Sequence, residues 1–212
     1  MKKNHDIGHR LIGLTGMYCA GKNHVARLLE ERGLPVLDVD TLGHRAIETE
    51  KAAILQRFGP GILGKDGAVD RRALGAKVFG SPRELTALEE IVHPAANRLT
   101  EAWIADTPEG PCVINAALLH RSAAFSRLDC IIIVQAPLLI RFLRARRRDR
   151  LPVLPLIRRF KSQREFMAQY LSQNVDIYRV YNWGYFGVCS RFWRRALERR
   201  IDDLLSREGI KR

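Results

Sequence analysis

A doubly wound α/β fold on a parallel five-stranded sheet is predicted by three observations. Helical stretches alternate with short strands along the whole chain. The first strand, a glycine loop, a helix and a second strand follow one another directly, which makes a right-handed βαβ unit. The apolar run Ile131-Ile132-Ile133-Val134 has the length of a strand.

The elements are justified in order. Arg10 to Thr15 reads as a short buried strand ending in glycine. From Gly21 to Arg32 the period turns helical, with Val25, Leu28 and Leu29 as the apolar stripe and Gly33 as the stop. Leu34 to Leu37 gives the second strand, ending at Asp38. Thr41 to Phe58 reads as one or two helices, and Gly59 to Gly67 as glycine-rich turns. Asp70 caps a helix over Arg71 to Phe79. Ser81, Pro82 and Glu84 open the next helix, which runs toward Ala105 with Pro94 as a kink or break. After a loop from Thr107 to Pro111, strands are expected at Cys112–Ile114 and Cys130–Gln135. An arginine-rich helix follows between Pro137 and Asp149. The prolines in Leu151 to Pro155 predict a hinge before a helix from Leu156 to Gln173. Ile177–Tyr181 is the expected last strand, and Arg191 to Leu205 the closing helix.

The 212 residues suffice for one sizeable domain with a helical insert. A composition of 46% hydrophobic and 28% charged residues excludes a disordered chain. No apolar run approaches the ~20 residues of a membrane span, and the polar, basic start resembles no signal peptide. A cytoplasmic protein with no membrane partner is expected. Cys19, Cys112, Cys130 and Cys189 show no CxxC spacing, so neither a zinc site nor a redox pair is indicated. The last three fall in or beside strands and read as buried thiols. The net charge of +13 suits a polyanionic ligand, either nucleic acid or a phosphorylated small molecule. Six arginines lie within 141–150 and five within 191–200, where solvated helix faces are the plain reading.

The informative segment is Gly16-Met17-Tyr18-Cys19-Ala20-Gly21-Lys22-Asn23. It matches G-x-x-x-x-G-K and departs only at the final Ser/Thr. Such a loop wraps a phosphate with backbone N–H groups, and glycine permits the positive φ this needs. The following helix adds the positive end of its dipole, and Lys22 a full charge for the β- and γ-phosphates. Asn23 stands where a hydroxyl would meet Mg²⁺; its amide oxygen is a neutral ligand for the same cation. The loop amides around Cys19 would lower its thiol pKa, the alternative being an ordinary loop residue.

With Val36-Leu-Asp-Val-Asp40 behind it, this loop resembles the dephospho-CoA kinase family. Asp38, Asp40 and His44 resemble its D-A-D-x-x-A-H. Asp70 to Gly75 resembles the start of its CoA-facing helical domain, and Leu88 to Pro94 its L-E-x-I-x-H-P. Leu118 and Leu119 match its P-L-L in part. Arg144 and Arg148 fall on its lid arginines, Gln163 on the glutamine ending its lid helix, and Asn182 and Gly184 on its late N-x-G near the adenine. The resemblance implies a P-loop kinase fold with a helical substrate domain and a lid. It implies ATP and dephospho-CoA as substrates, with Mg²⁺ as cofactor. ATP binding would fall to Gly16, Tyr18, Cys19, Ala20, Gly21, Lys22, Asn23, His24, Arg144, Arg148 and Asn182. The acceptor would meet Asp38, Asp40, His44, Arg72, His93 and Leu118, and the metal Asn23 and Asp38. Asp40 is the expected base, acting with Lys22 and Arg144; simple helix capping is the alternative for the aspartate pair. Arg144 and Arg148, four apart on one helical face, could clamp a phosphate chain.

The expected division of the single chain, 1–212, is a nucleotide core from 8–40, 110–136 and 174–212. A helical subdomain at 41–109 and a lid at 137–173 complete it. Departures cluster after the third strand, where Asn115, Ala117 and Arg121 replace the family's aspartate, proline and glutamate. An aromatic run from Tyr178 through Tyr181, Trp183, Tyr185 and Phe186 could stack on adenine, with a core cluster as the plainer reading. The alternatives are another small-molecule P-loop kinase, or a catalytically dead nucleotide- or RNA-binding relative. Nucleic acid is not the expected partner, and a monomer or weak homo-oligomer is.

Overall fold

The computed structural model describes residues 8–78, 80–149, 152–161, 163, 166, 170, 175–184 and 190–210. Five strands are present: β1 (His9–Gly16), β2 (Val36–Asp38), β3 (Gly110–Asn115), β4 (Cys130–Gln135) and β5 (Asp176–Tyr181). They form one sheet in the order β2-β3-β1-β4-β5. β1 pairs in parallel with β3 and β4, and β4 with β5. Parallel strands covered on both faces must be apolar almost throughout. Accordingly Leu11 to Gly16 in β1 and Cys130 to Val134 in β4 are buried at every position. The predicted α/β architecture is the observed one.

Eight helices connect the strands among the described residues. They are α1 (Lys22–Glu30), α2 (Val39–Thr49), α3 (Lys51–Phe58), α4 (Arg71–Val78), α5 (Pro82–Asp106), α6 (Leu138–Asp149), α7 (Val153–Lys161) and α8 (Ser190–Arg207). These residues divide into two compact units, one of Asp38–Asp106 and one made by the chain on either side of it. In the sheet unit, Val25, Leu28 and Leu29 of α1 pack with Ile12, Leu14, Ile132 and Val134, and with Leu197, Ile201 and Leu204 of α8. Each such large side chain, fully buried, contributes roughly 1.5–3 kcal/mol against its exposed state. The helical unit has its own core of Ile54, Phe58, Ile62, Val69, Leu74 and Val78. Asp70 caps α4 as expected, its carboxylate accepting from the N–H of Arg72 at 2.8 Å and of Ala73 at 3.2 Å.

Four local expectations need correction. α5 runs unbroken through Pro94. The proline costs one backbone bond, which the packing of the 25-residue helix against α2 and α4 offsets. α7 begins at Val153, not Leu156, because Pro155 lies in its first turn, where a missing N–H costs nothing. β3 begins at Gly110, paired with His9. Tyr181 and Trp183 are 38% and 44% exposed, so they form no core cluster. Among the described residues of that run Tyr178 packs against the core, its hydroxyl donating to Glu208. Cys112 and Cys130 are buried free thiols, which burial pushes up to about 11 and about 12. Tyr185, Phe186, Cys189, Arg150 and most of the expected helix beyond Lys161 lie outside the described residues.

Candidate active site

The site is assembled where β1 leaves the sheet. Gly16 ends the strand against β4, and the N–H of Met17 donates to the Val134 carbonyl at 3.2 Å. A Cβ at Gly16 would sit 2.9 Å from that same oxygen, so only glycine lets the loop start here. Met17 to Ala20 then turn tightly, with the N–H of Ala20 donating to Met17 O at 2.9 Å. Cys19 takes φ +58, the one positive φ of a non-glycine residue among the described residues. Gly21 follows at φ +95 and leads into α1. Lys22, Asn23 and His24 make the first turn of that helix, which carries no acidic residue. An uncompensated helix N-terminus of this kind favours an anion.

Two arginines of α6 hold the loop from outside. Arg141 donates from Nε to the Tyr18 carbonyl at 2.8 Å. Arg144 donates from one terminal nitrogen to the carbonyls of Cys19 at 3.2 Å and Ala20 at 2.9 Å. A trans peptide points its N–H opposite to its C=O. Fixing the Tyr18 and Ala20 carbonyls on the arginines therefore turns the N–H groups of Cys19 and Gly21 to the other side, into the loop. Burial pulls both guanidinium pKa values down, yet arginine stays charged across the physiological range.

The other terminal nitrogen of Arg144 reaches Asn182 O and Oδ1, both at 3.2 Å, and the Gly184 carbonyl. Asn182 is buried, donates from Nδ2 to Ala20 O at 3.0 Å, and is anchored by its N–H on Gln135 O at 2.8 Å. The loop, α6 and the segment after β5 thus form one hydrogen-bonded body. This corrects the expected clamp: in this arrangement Arg144 spends its terminal nitrogens on the protein, where it shapes the loop. Gly21 is the point of closest approach, since a Cβ there would lie 2.3 Å from Asn182 Nδ2. Gly21→Ala is expected to weaken nucleotide binding at least tenfold, because a left-handed φ and a clash with the buried, hydrogen-bonded Asn182 side chain coincide. Calorimetric titration with ADP checks this; unchanged affinity would mean that Gly21 does not shape the site.

Tyr18 sits at the loop tip against α6 and α7. Its N–H donates to Gln163 Oε1 at 2.7 Å, an oxygen that also accepts from Arg141 at 3.2 Å. Arg148 lies on its ring and pairs through Nε with Asp149 at 2.6 Å. That pairing holds the Asp149 carboxyl below the usual range. Contrary to the sequence expectation, burial raises the Cys19 thiol pKa, the neighbouring arginines only partly offsetting it. Burial, with Arg27 and Arg194 nearby, lowers that of His24, leaving the ring neutral near pH 7. Leu118, after β3, is 53% exposed, while Leu119 is fully buried. Asn115, at the end of β3, is 2% exposed, and its Oδ1 has no hydrogen-bond partner among the described residues.

In the helical unit, Asp38 is the N-cap of α2, accepting from the Asp40 N–H at 3.0 Å. Asp38 therefore does cap the helix, while Asp40 is exposed in its first turn. His44, one turn on, and Arg72 on α4 are exposed, and His93 on α5 is half-buried. The residues brought together by contacts are those of the loop with Arg144, Arg148 and Asn182. Sequence reasoning took Arg141 for a solvated side chain, yet it is 7% exposed and fully engaged. Its signal was available: positions 141, 144 and 148 share one helical face. Asp149 and Arg159 carried no such signal.

A glycine loop between β1 and α1 on a 2-3-1-4-5 parallel sheet defines a P-loop phosphoryl-transfer protein. The family pattern of dephospho-CoA kinase matches residues 10–175. The chain is 33% identical over 210 residues to the dephospho-CoA kinase of Treponema pallidum, covering 94% of this chain and 96% of that one. With the corresponding protein of Treponema denticola it shares 29% over 213 residues, covering 94% and 91%. Among solved structures, a Thermus thermophilus protein superposes with a TM-score of 0.72 at 31% identity, over 92% of this chain and 97% of that one. The dephospho-CoA kinase of Campylobacter jejuni shares the fold, with a TM-score of 0.62 at 19% identity over 92% and 97%. This chain belongs to the dephospho-CoA kinase family.

Proposed function

We propose that the chain transfers the γ-phosphate of ATP to the 3′-hydroxyl of dephospho-CoA, yielding CoA and ADP. The observation that carries this reading is the family match over residues 10–175, supported by a loop that passes through Gly21 at a positive φ into a helix with no acidic residue in its first turn. The acceptor oxygen attacks the γ-phosphorus, and the bond to the oxygen bridging to the β-phosphate breaks. Asp40 takes the hydroxyl proton, Lys22 offsets charge on the β- and γ-phosphates, and ADP leaves. Arg144 positions the loop, and Arg148 is the clamp for the phosphate chain. Asp38, His44, Arg72, His93 and Leu118 form the acceptor side. Product analysis tests this: a CoA carrying its new phosphate on the 3′-oxygen is expected, and phosphorylation elsewhere would contradict it.

Mg²⁺ fits the residues present. Among the described residues there is no cluster of three or more His, Cys, Asp or Glu. Mg²⁺ bound with a nucleotide is held mostly by the phosphates, water and one or two side chains. Asn23 and Asp38 would hold it, and the orphaned Asn115 Oδ1 is a ready acceptor for a hydrogen bond from its hydration shell. Bound Mg²⁺ would supply charge neutralisation on the β- and γ-phosphates. Asn23→Ser is expected to lower the Mg²⁺ concentration that half-saturates ADP binding by roughly threefold to tenfold, since a hydroxyl is the smaller and better placed oxygen. An unchanged Mg²⁺ response in calorimetry would remove Asn23 from the metal site. Among the described residues no helix is long and apolar enough to cross a membrane. A cytoplasmic enzyme acting as a monomer or weak homo-oligomer completes the proposal.

A further inference from the structure

Tyr18 is a loop residue that the P-loop motif leaves unspecified, yet its side chain is the most heavily engaged of the segment. Its ring has two cations against it: the Arg148 guanidinium carbon lies 5.1 Å from the ring centroid, and that of Arg159 5.8 Å. Phe160 of α7 meets it edge-on at 5.4 Å. The phenol donates to Asp149 Oδ2, the oxygen that also accepts from Arg159 at 3.4 Å. The opposite carboxylate oxygen, Oδ1, accepts from Arg148 Nε at 2.6 Å. Phenol and guanidinium are therefore fixed on the two oxygens of one carboxylate, while ring and guanidinium lie against each other. Burial raises the phenol pKa, so it remains a donor. The backbone of the same residue is bound on both sides, by Gln163 at its N–H and Arg141 at its carbonyl.

Arg148 gains from the Tyr18 ring a second hold beside its ion pair with Asp149. Its side chain is 61% exposed, and a long exposed arginine otherwise samples many rotamers. Arg144, on the same face of α6, is committed to carbonyls and Asn182. We propose that Tyr18 is the positioning residue for Arg148: it holds the guanidinium at the tip of the phosphate loop, with Asp149 as the shared anchor, ready to meet the terminal phosphate of ATP. The inference rests on the reading of the loop as an ATP site. It goes beyond that reading by giving a loop side chain the task of setting an arginine in the facing helix. Loop and helix are then joined at their working ends, and nucleotide binding at one is felt at the other.

The test is a double-mutant cycle read by calorimetry with a non-hydrolysable ATP analogue, on wild type, Tyr18→Leu, Arg148→Ala and the double variant. Each single variant is expected to weaken binding about tenfold, and the double variant to be no worse than either. Tyr18→Phe, which keeps the ring, should stay within about threefold of wild type. Losses that multiply to about a hundredfold in the double variant would overturn the proposal, as would wild-type affinity in Tyr18→Leu. If Tyr18→Leu melts early, the cycle is read on Tyr18→Met with Arg148→Ala, where non-additive losses support the proposal and additive ones overturn it. No acceptor is present in these titrations. An enzyme that bound the analogue but failed to phosphorylate dephospho-CoA would refute the proposed activity and leave this result standing.

Discussion

Lys22→Ala is expected to lower kcat by about a hundredfold to a thousandfold, the usual cost of removing one preorganised donor for transition-state charge. Lys22 is the first residue of α1, directly after a glycine at φ +95, so its backbone is fixed where the helix dipole is most positive. The loss should fall mainly on kcat, because charge on the β–γ bridge grows only as that bond breaks. Loop geometry should survive, since it rests on Arg141, Arg144 and Asn182. Steady-state kinetics with a parallel ADP titration check this. A variant with near-normal kcat would show that the lysine ammonium does not meet the transferring phosphate.

Asp40→Asn is expected to reduce kcat by about a hundredfold to ten-thousandfold, the range for loss of a general base, while ADP affinity stays close to wild type. The substitution is nearly isosteric, and the backbone N–H of residue 40 can still be received by the Asp38 cap. Helix α2 should thus start in the same place. Asp38→Asn is a control for the structural role, because an amide oxygen also caps a helix. It is expected to lower activity less than Asp40→Asn. The reverse ranking would move the base from Asp40 to Asp38.

The fold was legible because its signals are local and redundant. Each buried strand announced itself by apolar runs, and α4 and α5 by caps at Asp70 and Ser81 that the structure retains. The phosphate loop was legible for the same reason, its glycines being demanded by φ and by close approach at single positions. What stayed hidden depends on who faces whom. Eleven arginines in two short blocks look alike in sequence, and only the helical face shared by 141, 144 and 148 separates Arg141, buried under the loop, from Arg146, which faces solvent. Arg144 has a terminal nitrogen on carbonyls 124 and 125 residues away in sequence, partners that no local pattern announces. Trp183 was taken for core because aromatic residues usually are, yet it follows an edge strand and stacks on Trp193 at 5.9 Å. The departures at Asn23 and Asn115 were visible as letters. Only the structure adds that the Asn115 oxygen is buried with no donor among the described residues.

The most direct test of the central claim is ADP release in a coupled assay with ATP and Mg²⁺. Dephospho-CoA is compared with AMP, adenosine and no acceptor. The account predicts turnover with dephospho-CoA well above all three controls. Absence of turnover with dephospho-CoA, in a protein that still binds ADP, would contradict it and leave a nucleotide-binding relative that has lost the reaction.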